Sequence, residues 1–124
     1  MKKLLFLSLV LFSQLAMARQ YFQCSSVDIG ATDVMVINLT NKETGTLFLS
    51  SGMQNPEDER VLVNISLNKK EKGLFTYRIV SDYAQGELNI PEAAIGKSID
   101  YVLVDLKINN FYMSYSCFAR IYND

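Results

Sequence analysis

Alternation of apolar and polar residues is the feature that most constrains the fold of this chain. It is clearest over residues 60–67, where every second residue is apolar: Val61, Val63, Ile65 and Leu67. Successive side chains of a β-strand point to opposite faces, so a period of two predicts a strand with one buried face. Eight predicted strands follow one another along the chain, at residues 20–25, 32–40, 46–50, 60–67, 74–80, 87–90, 101–108 and 111–122. The second alternates less cleanly, because residues 34–37 are all apolar, which suits a strand covered on both sides or a bulge.

These runs predict an all-β domain. No long segment has the 3.6-residue period of a helix, and most connections between the runs are short enough for hairpins. A chain of 124 residues has room for one domain. We therefore predict a small antiparallel barrel of about eight strands, with a two-sheet β-sandwich as the alternative fold.

Two of the connections have sequence patterns that predict their local structure. Residues 68–73 are charged and end on a glycine, which is typical of a turn between strands. Residues 91–98 suit a single helical turn, because Pro91 fits a first helical position and Gly96 fits a C-terminal stop.

The two cysteines lie near opposite ends of the chain. Cys24 falls in the first predicted strand and Cys117 in the last, with 92 residues between them. An even number of cysteines in a small exported domain indicates a disulfide, and closing a ring of this size stabilises the fold by roughly 4 to 5 kcal/mol. The first and last strands of a closed barrel are neighbours, so a Cys24–Cys117 bridge favours the barrel.

The first 18 residues have the pattern of a secretory leader. A pair of lysines precedes an apolar run at residues 4–12, and Ala16 and Ala18 occupy the positions that a signal peptidase reads. We predict cleavage after Ala18, a single all-β domain at residues 19–124, and a periplasmic or secreted location. Loss of the two lysines changes the formal net charge from −1 to −3, so we expect no nucleic-acid partner.

Composition argues against several classes of function. The chain has no His, which removes imidazole catalysis and most metal sites. No Gly-x-Ser-x-Gly elbow marks a serine nucleophile. We therefore expect no enzyme activity, no metal and no cofactor. Several predicted strands have only five or six residues, fewer than the ~9 to 11 of membrane strands, so we expect a protein that is not embedded in a membrane. We also expect a monomer.

The last predicted strand carries the candidate partner-binding surface. If Cys117 points inward, the residues of opposite parity point outward, and they include Tyr112, Phe118, Arg120 and Tyr122. Exposed aromatic side chains supply rigid contact area, and a guanidinium can stack on neighbouring rings. We predict that these four residues contact a partner. The alternative is that they only stabilise the sheet through cross-strand pairs.

The connection at residues 51–59 is the second candidate surface. Its candidate residues are Ser51, Gly52, Met53, Glu57, Asp58 and Glu59. The acidic half is suited to a cationic partner but lacks the alternating ligands of a calcium loop. The Ser-Gly-Met half resembles the segment that periplasmic inhibitors of c-type lysozyme insert into the enzyme cleft. The Tyr and the Lys-Gly strand that complete that family's pattern are absent here, so no membership follows.

These features favour a binding or inhibitory module that recognises a protein or a cell-envelope ligand. One alternative is a lipocalin-like carrier of a small apolar ligand, which requires an open cavity inside the barrel. Another is a small hydrolase, which requires two carboxylates about 5 to 9.5 Å apart.

Intact-mass measurement on the exported protein tests the leader and the disulfide together. We expect a mass that lacks residues 1–18 and two hydrogens, because a peptidase removes the leader and the two thiols are oxidised. A full-length mass with two free thiols would contradict both predictions.

Overall fold

The computed structural model describes residues 19–27, 34–50, 60–82, 85–109 and 111–122. The predicted leader at residues 1–18 and the connection at residues 51–59 lie outside these ranges. The described residues form eight strands and one 3₁₀ turn: β1 (Arg19–Ser26), β2 (Val34–Leu39), β3 (Thr44–Ser50), β4 (Arg60–Glu71), β5 (Leu74–Val80), β6 (Gly86–Pro91), the 3₁₀ turn (Glu92–Ala94), β7 (Ile99–Ile108) and β8 (Phe111–Tyr122).

The strands form a closed barrel. Each strand pairs antiparallel with the next, and β8 returns to pair with β1. The predicted barrel is therefore confirmed, and the two-sheet sandwich is not the fold of this chain. Because the sheet closes on itself, every strand has a partner on both sides and no edge strand remains.

The inward faces of the strands fill the barrel. The large side chains that are fully buried there are Phe22, Met35, Ile37, Leu47, Ile65, Tyr77, Leu88, Ile90, Val104, Leu106 and Tyr115. Tyr77 brings a polar group into this core, and its hydroxyl donates a 2.8 Å hydrogen bond to the carbonyl of Lys42. Burial raises the pKa of Tyr77 above the usual tyrosine value, so the phenol remains a neutral donor.

Cys24 and Cys117 form the predicted disulfide. The two residues lie directly opposite each other in the β1–β8 register, and both are buried on the inward side of the sheet. The bond joins the first strand of the barrel to the last. It is consistent with a non-cytoplasmic location, because disulfides persist in oxidising compartments.

The β4–β5 hairpin is tighter than the sequence predicted. The predicted strand ended at Leu67, whereas β4 continues to Glu71 with a register shift between Leu67 and Lys69. The turn is reduced to Lys72 and Gly73, which both have positive φ, 53° and 77°. Two such residues suit the tight turn that matches the twist of paired strands, so the polar residues after Leu67 extend the ladder instead of forming a loop.

One end of the barrel is closed by the connection between β6 and β7. The predicted single helical turn is present, but it begins at Glu92, because Pro91 is the last residue of β6 and only precedes the turn. Gly96 follows the turn with a positive φ of 76°. Ala94 and Ile95 of this connection are buried and extend the core. Within the described residues, no helix has the length and apolar character needed to cross a membrane.

Gln20 holds this connection against the barrel. Its side chain is 4% exposed, and its Nε2 donates to the carbonyls of Ala94 at 2.6 Å and Lys97 at 2.8 Å. Its Oε1 accepts a 2.9 Å hydrogen bond from the Gly96 N–H. One side chain therefore satisfies three backbone groups that have no ladder partner at this end of the sheet.

Replacing Gln20 with Leu is expected to lower the free energy of unfolding by about 1 to 3 kcal/mol, because backbone groups at the barrel end lose their partners. Urea denaturation measures this change. Gln23→Leu is the matched control, since Gln23 lies on the exposed face of the same strand, and it should shift stability by no more than ~0.5 kcal/mol. Equal losses for the two variants would show that Gln20 does not hold the connection.

Candidate functional site

The outward face of the β1–β8 seam holds three of the four side chains of the first predicted surface. Phe118, Arg120 and Tyr122 alternate along β8 and are half-buried on this face. The register sets Tyr21 of β1 directly opposite Arg120, so a fourth large side chain joins them. Tyr21, Phe118, Arg120 and Tyr122 are called the aromatic face below.

The rings of the aromatic face contact one another. The Tyr21 ring centroid lies 5.7 Å from that of Tyr122, with the planes tilted by 53°. It lies 6.5 Å from that of Phe118 in an edge-to-face arrangement. The Arg120 guanidinium carbon lies 5.2 Å from the Phe118 ring centroid, within the range of a cation–π contact. These distances are typical of favourable aromatic pairs, so the four side chains form one packed group.

Backbone carbonyls fix the Arg120 guanidinium in place. Its Nη1 donates to the carbonyl of Ala119 at 2.8 Å and to that of Ile99 at 3.1 Å. Its Nη2 donates to the Asp100 carboxylate at 2.9 Å. A register shift in β7 between Ile99 and Val102 places Asp100 within reach, as bulges often do when they redirect a side chain. The positive charge is therefore held at a defined point over the sheet.

Tyr112 lies apart from the aromatic face. It is on the outward side of β8, as predicted, and 64% exposed. Its register partner is Lys107 of β7. Tyr112 lies six positions before Phe118 in the sequence, which corresponds to about 20 Å along a strand. The structure therefore brings together three of the four predicted residues and leaves Tyr112 as an isolated exposed ring.

Tyr21 is the member of the aromatic face that the sequence analysis missed. Two features of the sequence, taken together, place Tyr21 on this face. The alternation of residues 20–25 puts Tyr21 on the face opposite Phe22 and Cys24. A Cys24–Cys117 pair in antiparallel strands then sets Tyr21 opposite Arg120, because each step along one strand is matched by a step back along the other.

The second predicted surface, with Ser51, Gly52, Met53, Glu57, Asp58 and Glu59, lies outside the described residues.

A groove of about 590 Å³ lies over β5–β7, and the charged side chains in its lining are Arg78, Glu87 and Lys107. The described lining of this groove contains one carboxylate, that of Glu87. It does not provide the two carboxylates of the hydrolase alternative.

Comparisons with protein-family models, with curated proteins and with solved structures give no significant match. Among the described residues, no three His, Cys, Asp or Glu side chains lie close enough together to hold a metal ion.

Replacing Arg120 with Ala is expected to lower the free energy of unfolding by about 1 to 2 kcal/mol, because two hydrogen bonds to backbone carbonyls and the contact with Phe118 are lost. Asp100→Ala is the control for the ion pair, and it should cost less than ~0.5 kcal/mol since exposed pairs contribute little. Thermal or urea denaturation measures both. A loss no larger for Arg120→Ala than for Asp100→Ala would contradict the anchoring described above.

Proposed function

We propose that this protein is an exported binding module whose contact surface is the aromatic face. Its partner is a protein or a cell-envelope ligand. The observation that carries the proposal is the group formed by Tyr21, Phe118 and Tyr122, with the Arg120 guanidinium held among them by backbone carbonyls. The group lies on the outside of the barrel and is only half-buried by the rest of the chain.

A binding surface whose side chains are already ordered loses less conformational entropy on association than a flexible one. Tyr and Arg side chains are enriched among the residues that dominate binding energy. Immobilising a flexible side chain on association costs roughly 0.5 to 1.5 kcal/mol. Here the Arg120 side chain already has three hydrogen-bond acceptors, and the strand below it is tied to β1 by the disulfide. Most of that ordering cost is therefore met during folding.

The proposed location is the periplasm or the extracellular space. The leader pattern at residues 1–18 supports export, and the disulfide is stable where the environment is oxidising. In such a compartment a half-exposed aromatic group is available to partners of the cell envelope.

The barrel interior favours this surface over the carrier alternative. A carrier of a small apolar ligand holds it in a cavity within the barrel. In this chain large side chains such as Tyr77, Tyr115, Phe22 and Met35 occupy the interior, and Gln20 holds a connection across one end. Among the described residues, the outer surface of the barrel is therefore better suited to recognition than its interior.

Affinity capture from a cell-envelope extract tests the proposal. The double change Phe118→Ser and Tyr122→Ser should weaken capture of the partner by more than ~1 kcal/mol, because the two rings supply much of the aromatic contact area of the face. Tyr112→Ser is the matched control: it removes a more exposed ring of the same strand outside the face, and it should leave capture unchanged.

Circular dichroism and melting curves accompany the capture. The proposal is wrong if Tyr112→Ser weakens capture as much as the double change does. It is also wrong if capture falls only in step with the loss of folded protein. The single change Tyr122→Thr, in which a β-branched residue replaces the ring, keeps the strand intact and should still reduce capture.

A further inference from the structure

We infer that a depression beside the aromatic face binds one sugar ring of a cell-envelope glycan. The inference rests on the proposed function and deepens it, because it assigns the chemical class of the ligand. It starts from a pair of small polar residues, Ser25 and Ser116, which lie directly opposite each other on the outward faces of β1 and β8.

The depression exists because this pair is small and its neighbours are large. In the same row across the sheet, Ser25 is paired with Val34 of β2, and Ser116 is paired with Leu103 of β7. Val34 is 40% exposed and Leu103 is 47% exposed. Phe118 is the next outward residue along β8. Two hydroxyl groups therefore lie in a low part of the surface with apolar side chains around them.

The dimensions of the depression suit a single ring. Its volume is about 240 Å³, and its lining includes Gln23, Ser25, Val34, Asp100, Ser116 and Phe118. This is smaller than the ~300 to 1,000 Å³ of sites for drug-sized ligands. One ring of a longer molecule fits such a site, while the remainder of that molecule continues over the surface.

Polar groups in the lining are free to bind a ligand. Within the described part of the chain, the hydroxyls of Ser25 and Ser116 and the amide of Gln23 have no protein hydrogen-bond partner. The Asp100 side chain is 94% exposed, and the oxygen that Arg120 binds is Oδ1. Its Oδ2 can accept from a ligand hydroxyl, and the ion pair with Arg120 keeps the carboxylate oriented.

This combination of groups matches a sugar better than a lipid or a nucleic acid. A sugar ring presents C–H groups on its faces and hydroxyls around its rim, so it can pack on Phe118 and Val34 while it bonds to the polar groups. An alkyl chain would cover those polar groups without pairing them, which is unfavourable. A phosphate backbone would find no Lys or Arg in the lining of the depression to neutralise its charge.

The depression also connects with the aromatic face. Phe118 lines the depression and contacts Tyr21 and Arg120 of the face. A glycan that places one ring between Ser25 and Ser116 can therefore lay its next ring on Phe118. The two surfaces then form one binding site for an oligosaccharide.

The test is an NMR titration of the isotope-labelled exported protein with three soluble tetrasaccharides, made of N-acetylglucosamine, glucose or mannose. At least one of them should shift amide resonances that centre on Ser25, Ser116 and Phe118. Ser116→Val fills the depression with two methyl groups and should raise the Kd about tenfold or more, which corresponds to ~1.4 kcal/mol. Ser25→Val fills the depression from the opposite strand and should act in the same direction.

Ser66→Val is the matched control. Ser66 lies on β4, where it is paired with Thr44 of β3 and Arg78 of β5, far around the barrel from the seam, and its replacement should leave the Kd unchanged. The inference is overturned if no tetrasaccharide shifts these resonances at about 10 mM, a concentration that reveals even millimolar binding. It is also overturned if both filled variants bind as the unaltered protein does.

The outcomes separate this inference from the proposed function. If envelope capture depends on Phe118 and Tyr122 but no tetrasaccharide binds, the aromatic face remains the contact surface, and only the assignment of a sugar fails. If a tetrasaccharide binds between Ser25 and Ser116 while capture ignores the aromatic rings, the sugar site stands, and the proposed contact surface fails.

Discussion

Closure of the sheet between β1 and β8 is the constraint on which the rest of this structure depends. The register that sets Cys24 opposite Cys117 determines which residues of both strands point inward, because side chains alternate along a strand. A shift of one residue would separate the sulfurs and turn Phe118 and Tyr122 into the core. The disulfide therefore fixes two things at once: the seam of the barrel and the identity of the side chains that lie outside it.

Closure also decides where recognition can occur. A barrel without edge strands cannot bind a partner by adding a strand. Its interior here is filled by side chains such as Tyr77 and Tyr115, and one end is covered by the connection that Gln20 holds through backbone hydrogen bonds. The outer face of the sheet is then the surface on which a rigid, half-exposed group can contact another molecule.

The seam gathers unusual features within a small area. The bulge in β7 brings Asp100 to Arg120, and Arg120 in turn lies against Phe118. One row further along the seam, the facing pair of Ser25 and Ser116 lowers the surface. A ring system, a fixed charge and a small depression thus share one disulfide-linked pair of strands. This shared position is the reason for proposing a single recognition site there.

The sequence by itself predicted the strands, except for the extension of β4 to Glu71, together with their buried faces and the outward direction of Phe118 and Arg120, because alternation is a local property that each segment carries alone. It predicted the disulfide for a different reason, since the chain has two cysteines. Only the tertiary structure decided that the three rings of the aromatic face pack together, that Gln20 bonds to the backbone of the connection after β6, and that Ser25 and Ser116 line a depression. These contacts join residues that are 74 or more positions apart. Their partners are set by strand register and by closure of the barrel, which no single segment specifies.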